Sequence, residues 1–527
     1  MQHTRLFLGD EAIAQAALDA GIRGAYAYPG TPSTEILEYI QRAPEAAARN
    51  VHRAWSANEK TAMEEALGVS WAGKRAMACM KHVGLNVAAD PFVNAAITGA
   101  NGGLLVVAAD DPSMHSSQNE QDSRFYAKFA MVPLLEPSSQ QEAYDMVWAG
   151  LELSEKLRVP VVLRVTTRLA HSRADVRVRA PRPENPLSLP PDSRQYTLLP
   201  ANARRNYAAL LRKQRDMIEA AEASEFNAVL DGADTSLGII AAGIAINYLR
   251  ENYPGGACPY PVVKVCQYPV PEAPIARLIE RCRRILVLEE GAPYIEEMVR
   301  GHFRKSPEVR GRLDGALPRA GELTPDDVAT ALGLKEPPAL KLAEVVKARP
   351  PQLCRGCPHA DTYRFLNEAL RAYPGSRPLS DIGCYTLGAL PPYDAIHSCV
   401  DMGASITMAK GAADAGVRPA VAVIGDSTFT HSGITGLLDA AHENTPMTVL
   451  VLDNDTVGMT GGQESLSSGR LEGIVAGLGV DPAHMRVLTP LPKNHDENVK
   501  ALAEELAYEG LSVVICRRAC IQIRKRQ

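Results

Sequence analysis

Short apolar runs alternate with amphipathic stretches along most of the chain, which predicts parallel sheets covered by helices. In the first segment, the runs that read as buried strands are residues 25–28, 75–80, 104–109 and 159–165. Helical periodicity lies between them, most clearly over residues 140–155. The pattern therefore predicts an α/β fold for the N-terminal third of the chain.

A second and smaller α/β segment follows a proline-rich stretch, 181–191, which predicts a linker, and a charged helix over 203–225. Its predicted strands are residues 237–241, 261–265 and 285–288. The segment shows no catalytic constellation. Glu289 and Glu290 follow the last strand, and a charge pair there is expected in a solvated loop or helix start.

The third segment, from residue 353 onward, contains the most informative pattern. Two apolar runs end in Gly425-Asp426-Ser427 and Asp453-Asn454, with an amphipathic helix pattern at 431–442 between them. Parallel strands place such ends at the edge where α/β sheets bind ligands. A carboxylate and an amide oxygen suit Mg²⁺ bridging to a diphosphate, and Gly425 lacks the Cβ that would block a close phosphate. An ordinary strand-to-helix turn is the alternative.

Composition narrows the class of protein. The 527 residues are 46% hydrophobic and 22% charged, which is typical of a globular chain of about three domains. A net charge of −5 gives no indication of nucleic acid or of an acidic membrane surface as a partner. No signal peptide and no apolar run of about 18 residues is recognised. We therefore expect a cytoplasmic protein.

Ten cysteines in a chain of this length do not indicate a secreted disulfide scaffold. Cys354 and Cys357 form a C-x-x-C motif, Cys384 lies further along, and Cys520 follows the last predicted strand at 511–516. Four thiolates can hold a 4Fe-4S cluster or Zn²⁺, and unrelated cysteines are the third alternative. The other six are expected to be small buried hydrophobes: Cys79, Cys258, Cys266, Cys282, Cys399 and Cys516.

Two further features point to one cofactor. The Gly425-Asp426-Ser427…Asn454 unit resembles the GDG…N motif of thiamine diphosphate enzymes, with serine in the third position. Glu59 lies on a predicted amphipathic helix, where a solvated residue is the ordinary interpretation. Thiamine chemistry, however, needs one carboxylate against the aminopyrimidine ring. In two-domain thiamine sites, this glutamate comes from a different domain than the diphosphate motif.

These stretches together resemble the large subunits of the indolepyruvate type in the 2-oxoacid:ferredoxin oxidoreductase superfamily. The matching stretches span nearly the whole chain in family order: 28–35, 58–60, 80–86, 354–359, 381–388, 425–433 and 458–463. The resemblance implies two thiamine-diphosphate-type parallel-sheet domains flanking a transketolase C-terminal-like α/β domain. The implied divisions are 1–180 (pyrimidine-binding), 181–235 (linker and helix), 236–345 (transketolase C-terminal-like) and 346–527 (diphosphate-binding, with the iron-sulfur cysteines).

The resemblance also implies thiamine diphosphate, Mg²⁺ and one 4Fe-4S cluster. It makes Asp426, Asn454 and Thr456 the Mg²⁺ ligands, Glu59 the cofactor-activating acid, and Thr31 a residue that meets the 2-oxoacid carboxylate. Lys81, His82 and His431 are substrate- or proton-handling candidates. The implied cluster ligands are Cys354, Cys357, Cys384 and Cys520. The further cofactor-binding residues are Gly383, Cys384, Met402, Gly403, Gly425, Ser427, Met459 and Thr460.

The implied reaction is oxidative decarboxylation of an aryl 2-oxoacid to an acyl-CoA, with electrons passing to ferredoxin or another acceptor. The dense C-x-x-C-x-x-C runs of a ferredoxin-like domain are missing from this sequence. A separate small β-type subunit is implied, in a dimer of heterodimers. Two alternatives stay open: a non-redox thiamine-dependent decarboxylase or carboligase, and a structural subunit with a vestigial site.

Overall fold

The computed structural model describes residues 4–192, 194–255, 258–302, 307–334, 343, 345–347 and 351–524. The chain divides into two units, Met1–Leu340 and Lys341–Gln527. Unit 1 contains the first two segments of the sequence, and unit 2 contains the third. No described helix combines the length and apolar character needed to cross a membrane.

The first sheet of unit 1 has seven strands. In spatial order they are Gln267–Tyr268, Leu134–Leu135, Val161–Thr166, Leu104–Asp110, Ala76–Lys81, Gly24–Ala27 and His52–Trp55. All neighbours are parallel except the first pair. Every residue of the two central strands Leu104–Asp110 and Val161–Thr166 is buried, which explains their continuous apolar runs. The predicted parallel sheet is confirmed, whereas the half-exposed edge strand His52–Trp55 was not predicted.

Helices cover this sheet, and an antiparallel ribbon of Thr4–Leu8 and Arg173–Arg177 lies beside it. The helices are Gly9–Asp19, Thr34–Arg42, Pro44–Ala48, Glu59–Trp71, His82–Val87, Ala89–Thr98, Ser123–Ala130, Gln140–Leu157 and Thr167–His171. The predicted helix at 140–155 is confirmed as Gln140–Leu157. Its first turn is fixed by Ser139, whose side chain accepts the Glu142 N–H.

The second sheet of unit 1 has five strands. In spatial order they are Glu308–Arg310, Arg284–Leu288, Gly238–Ala242, Val262–Val265 and Ala228–Leu230, the last being antiparallel to its neighbour. The accompanying helices are Ala245–Glu251, Glu272–Arg281, Tyr294–His302 and Pro325–Leu332. The three strands predicted for the second segment are confirmed as the centre of this sheet.

The stretch predicted as a linker, 181–191, is hydrogen-bonded to other segments of unit 1. Its Arg182 N–H donates to the Asp19 carbonyl at 2.8 Å, and its Ser188 N–H donates to the Ala72 carbonyl at 3.0 Å. The helix that follows is Pro200–Glu222, a three-residue shift from the prediction, and its Pro200 occupies the first helical turn. Because Leu210 and Met217 of this helix are buried, it belongs to the unit's core.

The prediction for Glu289 and Glu290 was wrong. Each is only 1% exposed. Glu289 Oε2 accepts from Arg124 Nη1 at 2.7 Å, and the Glu290 carbonyl accepts from Arg164 Nη2 at 3.1 Å. Both arginines are fully buried and lie more than a hundred residues earlier in the chain. Their distance along the sequence is why a local charge pattern could not reveal the pairing.

Unit 2 has a five-stranded parallel sheet. In spatial order its strands are Leu379–Ser380, Ala420–Gly425, Met447–Asp453, Leu511–Arg517 and Met485–Leu488. A hairpin of Thr456–Val457 and Gln463–Glu464 follows the third strand of this order. The helices are Pro358–Ala369, Ala404–Asp414, Asp426–Thr428, Ile434–His442, Leu471–Gly477, His495–Leu506 and Ile521–Arg524. The predicted helix at 431–442 contains a π-helical turn, Phe429–Gly433, before its α-helical part.

The expectation for the six remaining cysteines holds for four of them. Cys79, Cys266, Cys282 and Cys516 are buried in apolar surroundings. Cys258 is only partly buried, and Cys399 is exposed. The prediction was wrong for Cys399 because the apolar residues around it lie in a loop outside any strand.

Candidate functional site

Asp426 and Asn454 lie at the same edge of the unit 2 sheet. They directly follow the neighbouring parallel strands Ala420–Gly425 and Met447–Asp453. Asp426 Oδ2 accepts the Asp455 N–H at 3.0 Å, a contact that joins the two strand ends. Asn454 Oδ1 accepts the Thr456 N–H at 3.2 Å. The structure thus brings together the three residues expected around a metal ion.

The Asp426 carboxyl group is 3% exposed. Burial, reinforced by the charge of Asp453, raises the pKa of Asp426 to about 7, although the Ser427 and Asp455 N–H groups act in the opposite direction. Without a cation, this acid therefore keeps its proton to unusually high pH. A buried oxygen of this kind, beside an amide oxygen, fits a hard divalent cation such as Mg²⁺.

Gly425 and Gly383 both leave room for a neighbouring aromatic ring. A Cβ on Gly425 would lie 2.4 Å from Cε1 of the Tyr385 ring, and one on Gly383 would lie 2.2 Å from the same atom. The Tyr385 hydroxyl donates to Asp381, which in turn accepts from the Ser405 hydroxyl at 2.5 Å. The missing Cβ atoms therefore admit a buried tyrosine ring, and a close phosphate at Gly425 stays a prediction.

Gly403 begins the helix Ala404–Asp414 with a left-handed φ of 94°. A Cβ there would lie 2.6 Å from the Ser432 Cβ, so both backbone conformation and space favour glycine. Ser432 Oγ is in turn 2.6 Å from Nδ1 of the buried His431, in the π-helical turn. The preceding Met402 is partly buried.

The remaining predicted cofactor contacts lie on two loops. The Ser427 N–H donates to Asp426 Oδ1 at 2.7 Å at the start of the helix after the strand. Met459 is exposed in the loop of the hairpin, and Thr460 Oγ1 donates to Gln463 Oε1 at 2.6 Å. The loop of Ser427 is therefore hydrogen-bonded to Asp426, and the hairpin loop is held by a hydrogen bond between its own residues.

The four candidate cluster cysteines lie around this strand edge. The turn from Cys354 to Cys357 is closed by a backbone bond of 3.0 Å, and the Cys520 N–H donates to the Asn454 carbonyl at 3.0 Å. Burial raises the pKa of Cys384 to about 12, and the charges of Cys357, Cys520 and Cys354 contribute to this shift. The other three thiols are therefore within electrostatic reach of Cys384.

The spacing of these thiols bears on the ion they could hold. Among the side chains that the structure describes, no three of the four sulfurs lie within 4.8 Å of one another. A tetrahedral zinc site with Zn–S bonds of about 2.3 Å brings its sulfurs to about 3.8 Å apart. Among the described side chains, these four thiols therefore do not form a closed zinc-type set.

His359 was not singled out from the sequence, yet it connects the two groups. It is 2% exposed, and its Nε2 lies 3.4 Å from Cys384 Sγ and 3.1 Å from Asn454 Nδ2. Burial lowers the pKa of His359 to about 4, so the imidazole is neutral and Nε2 can accept the amide proton. Its position two residues after the C-x-x-C motif was the available signal.

Arg518 holds two of the cysteine-bearing loops together, and it was likewise missed. Its Nη2 donates to the Gly356 carbonyl at 2.9 Å, inside the C-x-x-C turn. Its Nη1 donates to Asp361 at 2.7 Å, on the helix that follows this turn. Because Arg518 is two residues from Cys520, these bonds fix the Cys520 loop against the turn that carries Cys354 and Cys357.

In unit 1, Glu59 is the first residue of the helix Glu59–Trp71. Asn58 caps this helix by accepting the Thr61 N–H at 2.9 Å. Glu59 is only 5% exposed, which contradicts the solvated alternative. A Cβ on Gly84 would lie 2.5 Å from Glu59 Oε1, so the next helix closely covers the carboxylate.

Lys81 lies beside Glu59 at the carboxyl edge of the first sheet. Burial lowers the pKa of Lys81 to about 8, while the charges of Asp111 and Glu59 oppose the shift. Lys81 Nζ donates to the Ser116 carbonyl at 2.8 Å. A Cβ on Gly30 would lie 3.1 Å from Lys81 Cδ, so the Pro-Gly-Thr-Pro turn that carries Thr31 packs on this lysine.

His82 follows Lys81 and is buried. Its Nε2 lies 3.1 Å from the Asn119 carbonyl oxygen. Thr31 is partly buried in a turn where the Gly30 N–H donates to Thr34 Oγ1 at 2.9 Å. The structure thus brings Glu59, the Thr31 turn and Lys81 together in unit 1, with His82 next in sequence.

Comparison with known proteins decides the family. A model described as "Pyruvate flavodoxin/ferredoxin oxidoreductase, thiamine diP-bdg" matches residues 15–217, and "Thiamine pyrophosphate enzyme, C-terminal TPP binding domain" matches 381–516. "Indolepyruvate oxidoreductase subunit IorA" of Archaeoglobus fulgidus is 39% identical over 542 residues, covering 97% of this chain and 86% of that protein. The chain belongs to the IorA family of indolepyruvate oxidoreductase subunits. The Pyrococcus abyssi IorA subunit is 38% identical, covering 98% of this chain and 85% of its own.

A solved structure supports the same fold. It is titled "2-oxoglutarate:ferredoxin oxidoreductase from Magnetococcus marinus with 2-oxoglutarate, coenzyme A and succinyl-CoA bound". Its TM-score to this chain is 0.51 at 17% identity, covering 63% of this chain and 65% of that one. The predicted α/β fold with thiamine-diphosphate-binding domains is confirmed, as is the 2-oxoacid:ferredoxin oxidoreductase class of this IorA family member. The domain boundaries and the roles of individual residues stay predictions.

Proposed function

We propose that the chain is the large subunit of an enzyme that oxidatively decarboxylates an aryl 2-oxoacid similar to indolepyruvate. With coenzyme A as acceptor, the products are an acyl-CoA, carbon dioxide and two electrons, which would pass through a 4Fe-4S cluster to ferredoxin. One observation carries the redox part of the proposal. His359 Nε2 contacts both the thiol of Cys384 and the amide of Asn454, so a cluster candidate and a metal candidate share one hydrogen-bonding group.

Asp426, Asn454 and the Thr456 backbone carbonyl are the proposed Mg²⁺ ligands. The metal would replace the proton that burial keeps on Asp426, because ligation requires the ionised carboxylate. His359 contacts Nδ2 of the Asn454 side chain, and this contact does not involve Oδ1, the proposed ligand atom. Thiamine diphosphate bound to this ion supplies a nucleophilic carbon for the substrate ketone and a sink for the electrons released on decarboxylation.

Glu59 is the proposed partner of the aminopyrimidine ring. A catalytic acid of this kind must be held firmly and away from water, so that it exchanges its proton with the ring and not with solvent. The low exposure of Glu59 and the close cover by Gly84 supply those conditions. The residue therefore has the environment that its proposed role needs.

The 2-oxoacid carboxylate is proposed to meet Thr31 and Lys81. Lys81 carries a positive charge at neutral pH, although burial brings its pKa down to about 8. A partly desolvated ammonium group attracts a carboxylate more strongly than an exposed one does. His82 and His431 are further proposed proton-handling groups, each buried within its own unit.

Cys354, Cys357, Cys384 and Cys520 are the proposed cluster ligands. Burial raises the pKa of Cys357 to about 11 and that of Cys384 to about 12, so these thiols ionise at neutral pH only when a metal displaces their protons. The bound cluster would supply a one-electron acceptor next to the diphosphate anchor.

The proposal includes partners and domain limits. Relatives are named as a subunit, which implies a partner subunit, and we propose a small β-type chain in a cytoplasmic dimer of heterodimers. Coenzyme A would take the acyl group, and ferredoxin or another carrier would take the electrons. The domain limits 1–180, 181–235, 236–345 and 346–527 are proposed with it.

An anaerobic spectrum tests the proposal directly. The purified chain and its partner subunit receive thiamine diphosphate, Mg²⁺ and coenzyme A, and then indolepyruvate, phenylpyruvate, pyruvate or 2-oxoglutarate in separate runs. We expect bleaching of the iron–sulfur absorbance, fastest with the aryl 2-oxoacids, and none with Asp426→Ala. Decarboxylation by iron-free protein would instead identify a non-redox thiamine enzyme. Failure to bind thiamine diphosphate would identify a vestigial site.

A further inference from the structure

Three ligand-type side chains meet in unit 1 away from the groups described above. Ligand atoms of Asp10, Glu35 and His171 all lie within 4.8 Å of one another. Glu35 Oε2 lies 3.6 Å from His171 Nε2. We refer to these three residues as the Asp10 cluster.

The Asp10 cluster joins three helices. Asp10 lies in the first turn of Gly9–Asp19, Glu35 lies in the first turn of Thr34–Arg42, and His171 ends Thr167–His171. The first and third of these helices touch so closely that a Cβ on Gly9 would lie 2.3 Å from the Leu169 carbonyl oxygen. Asp10 and His171 are therefore carried by two helices whose backbones are in close contact.

Asp10 is the member that points to a ligand. Its side chain is 0% exposed, and neither carboxylate oxygen has a hydrogen-bond partner within the described part of the chain. Glu35 Oε2 is also a buried oxygen, and its ion-pair partner His171 Nε2 lies just beyond hydrogen-bond distance. A buried carboxylate that receives no donor must be neutralised by a proton or by a cation. Burial, together with the charges of Glu35 and Glu11, raises the pKa of Asp10, as expected for an acid without a compensating partner.

We propose that Asp10, Glu35 and His171 bind one divalent transition-metal ion, with Zn²⁺ as the best match. Carboxylates alone would suit Mg²⁺ or Ca²⁺, but an imidazole in a set of three protein ligands favours zinc. Zinc bonds to oxygen and nitrogen are about 2.0–2.2 Å long, which places ligand atoms about 3–4 Å apart. Because the side chains of Glu35 and His171 are 38% and 34% exposed, they have room for this contraction, and a water can complete the coordination.

A metal ion here would fix the start of the helix Thr34–Arg42. Glu35 is four residues after Thr31, so the ion would also anchor the Pro-Gly-Thr-Pro turn. The metal site does not depend on the proposed function, and its absence would leave that proposal unchanged.

Metal analysis of the loaded enzyme tests the site. The holoenzyme, with Mg²⁺, thiamine diphosphate and an anaerobically reconstituted cluster, is incubated with a small excess of Zn²⁺ and desalted. Zinc is then measured by mass spectrometry, and the melting temperature is recorded with and without zinc. We expect about one zinc per wild-type chain and a zinc-dependent rise in melting temperature. His171→Ala and Glu35→Gln should lose both.

His115→Ala is the matched control. His115 Nε2 lies 3.1 Å from Glu322 Oε2, so it is also a histidine–glutamate pair, but no described residue adds a third ligand atom within 4.8 Å of both. This variant should keep the full zinc content. Two results would overturn the proposal: a zinc-free wild type, which would leave Asp10 neutralised by a proton, or a zinc content that His171→Ala and Glu35→Gln retain. Zinc lost only in Cys354→Ser would assign the ion to the thiols and overturn it as well. If His171→Ala does not fold, Glu35→Gln decides alone.

Discussion

At the scale of single residues, Asp426 has an unusual balance of burial and charge. Asp426 is buried at a strand end beside Asp453. The hydrogen bonds that it accepts from two backbone N–H groups do not offset the effect of lost hydration on its pKa. An acid with a pKa of about 7 is half protonated at neutral pH. The affinity of Asp426 for a metal ion should therefore depend on pH.

Mg²⁺ binding should therefore weaken in acid. Below pH 7, the ion must displace a proton from Asp426, so the affinity should fall by about tenfold for each pH unit and level off above pH 7. Titration of Mg²⁺ with thiamine diphosphate at pH 6, 7 and 8 measures this slope. Asp426→Asn removes the group and serves as the control for titration of the cofactor itself. Equal slopes in wild type and variant would contradict the role of Asp426.

Glu59 allows a separation of binding from turnover. Glu59→Gln keeps the shape of the side chain but cannot exchange a proton with the cofactor. We expect thiamine diphosphate binding within about threefold of wild type, and turnover lowered at least about a hundredfold. Glu64→Gln, on the same helix but in a half-exposed pair with Lys60, is the matched control and should change neither value. Near-normal turnover in Glu59→Gln would exclude Glu59 from the reaction.

At the scale of elements, unit 1 is organised around buried arginines. Arg164, in the middle of a sheet strand, donates to Asp110 Oδ2 at 2.6 Å and to Glu136, and it reaches the Glu290 carbonyl near the second sheet. Removing one partner of a buried ion pair leaves the others uncompensated. The two sheets of unit 1 are therefore coupled through charged groups as well as through apolar packing.

Arg164→Met should destabilise unit 1 strongly. The substitution keeps much of the volume but leaves Asp110 and Glu136 without their cation, which costs about 3–5 kcal/mol. All three tryptophans, Trp55, Trp71 and Trp148, lie in unit 1, so tryptophan fluorescence during urea unfolding reports on this unit.

Arg215→Met is the control for this substitution. Arg215 forms an exposed pair with Glu219, so its loss should leave the free energy of unfolding close to that of the wild type. A loss below about 1 kcal/mol in Arg164→Met would show that the buried network contributes little to stability.

Elements with a strong apolar pattern were predictable, and those defined by distant partners were not. The buried strands and the helix Gln140–Leu157 follow from periodicity, because burial on one or both faces leaves a trace in the local sequence. The edge strand His52–Trp55 leaves little trace because it is partly solvated. Glu289 and Glu290 look like surface charges until Arg124 and Arg164 are seen beside them.

At the scale of the whole molecule, the family could be read from motif order along the chain, and comparison confirmed it. Polar residues at strand ends were predictable because parallel strands bring their carboxyl ends to one edge. The roles of His359 and of the Asp10 cluster were not predictable, because they depend on contacts between segments that are far apart in sequence. Gly425 shows the same limit: its motif was recognised, but its close contact with the Tyr385 ring was not predicted.

Low-temperature electron paramagnetic resonance gives the most direct test of the central claim, that decarboxylation delivers electrons to the four-cysteine cluster. The anaerobic holoenzyme is mixed with coenzyme A and an aryl 2-oxoacid, without an external electron acceptor, and frozen within one turnover. The signal of a reduced 4Fe-4S cluster should appear in the wild type and be absent from Glu59→Gln and Cys384→Ala. Release of carbon dioxide by the wild type without any reduced-cluster signal would contradict the account.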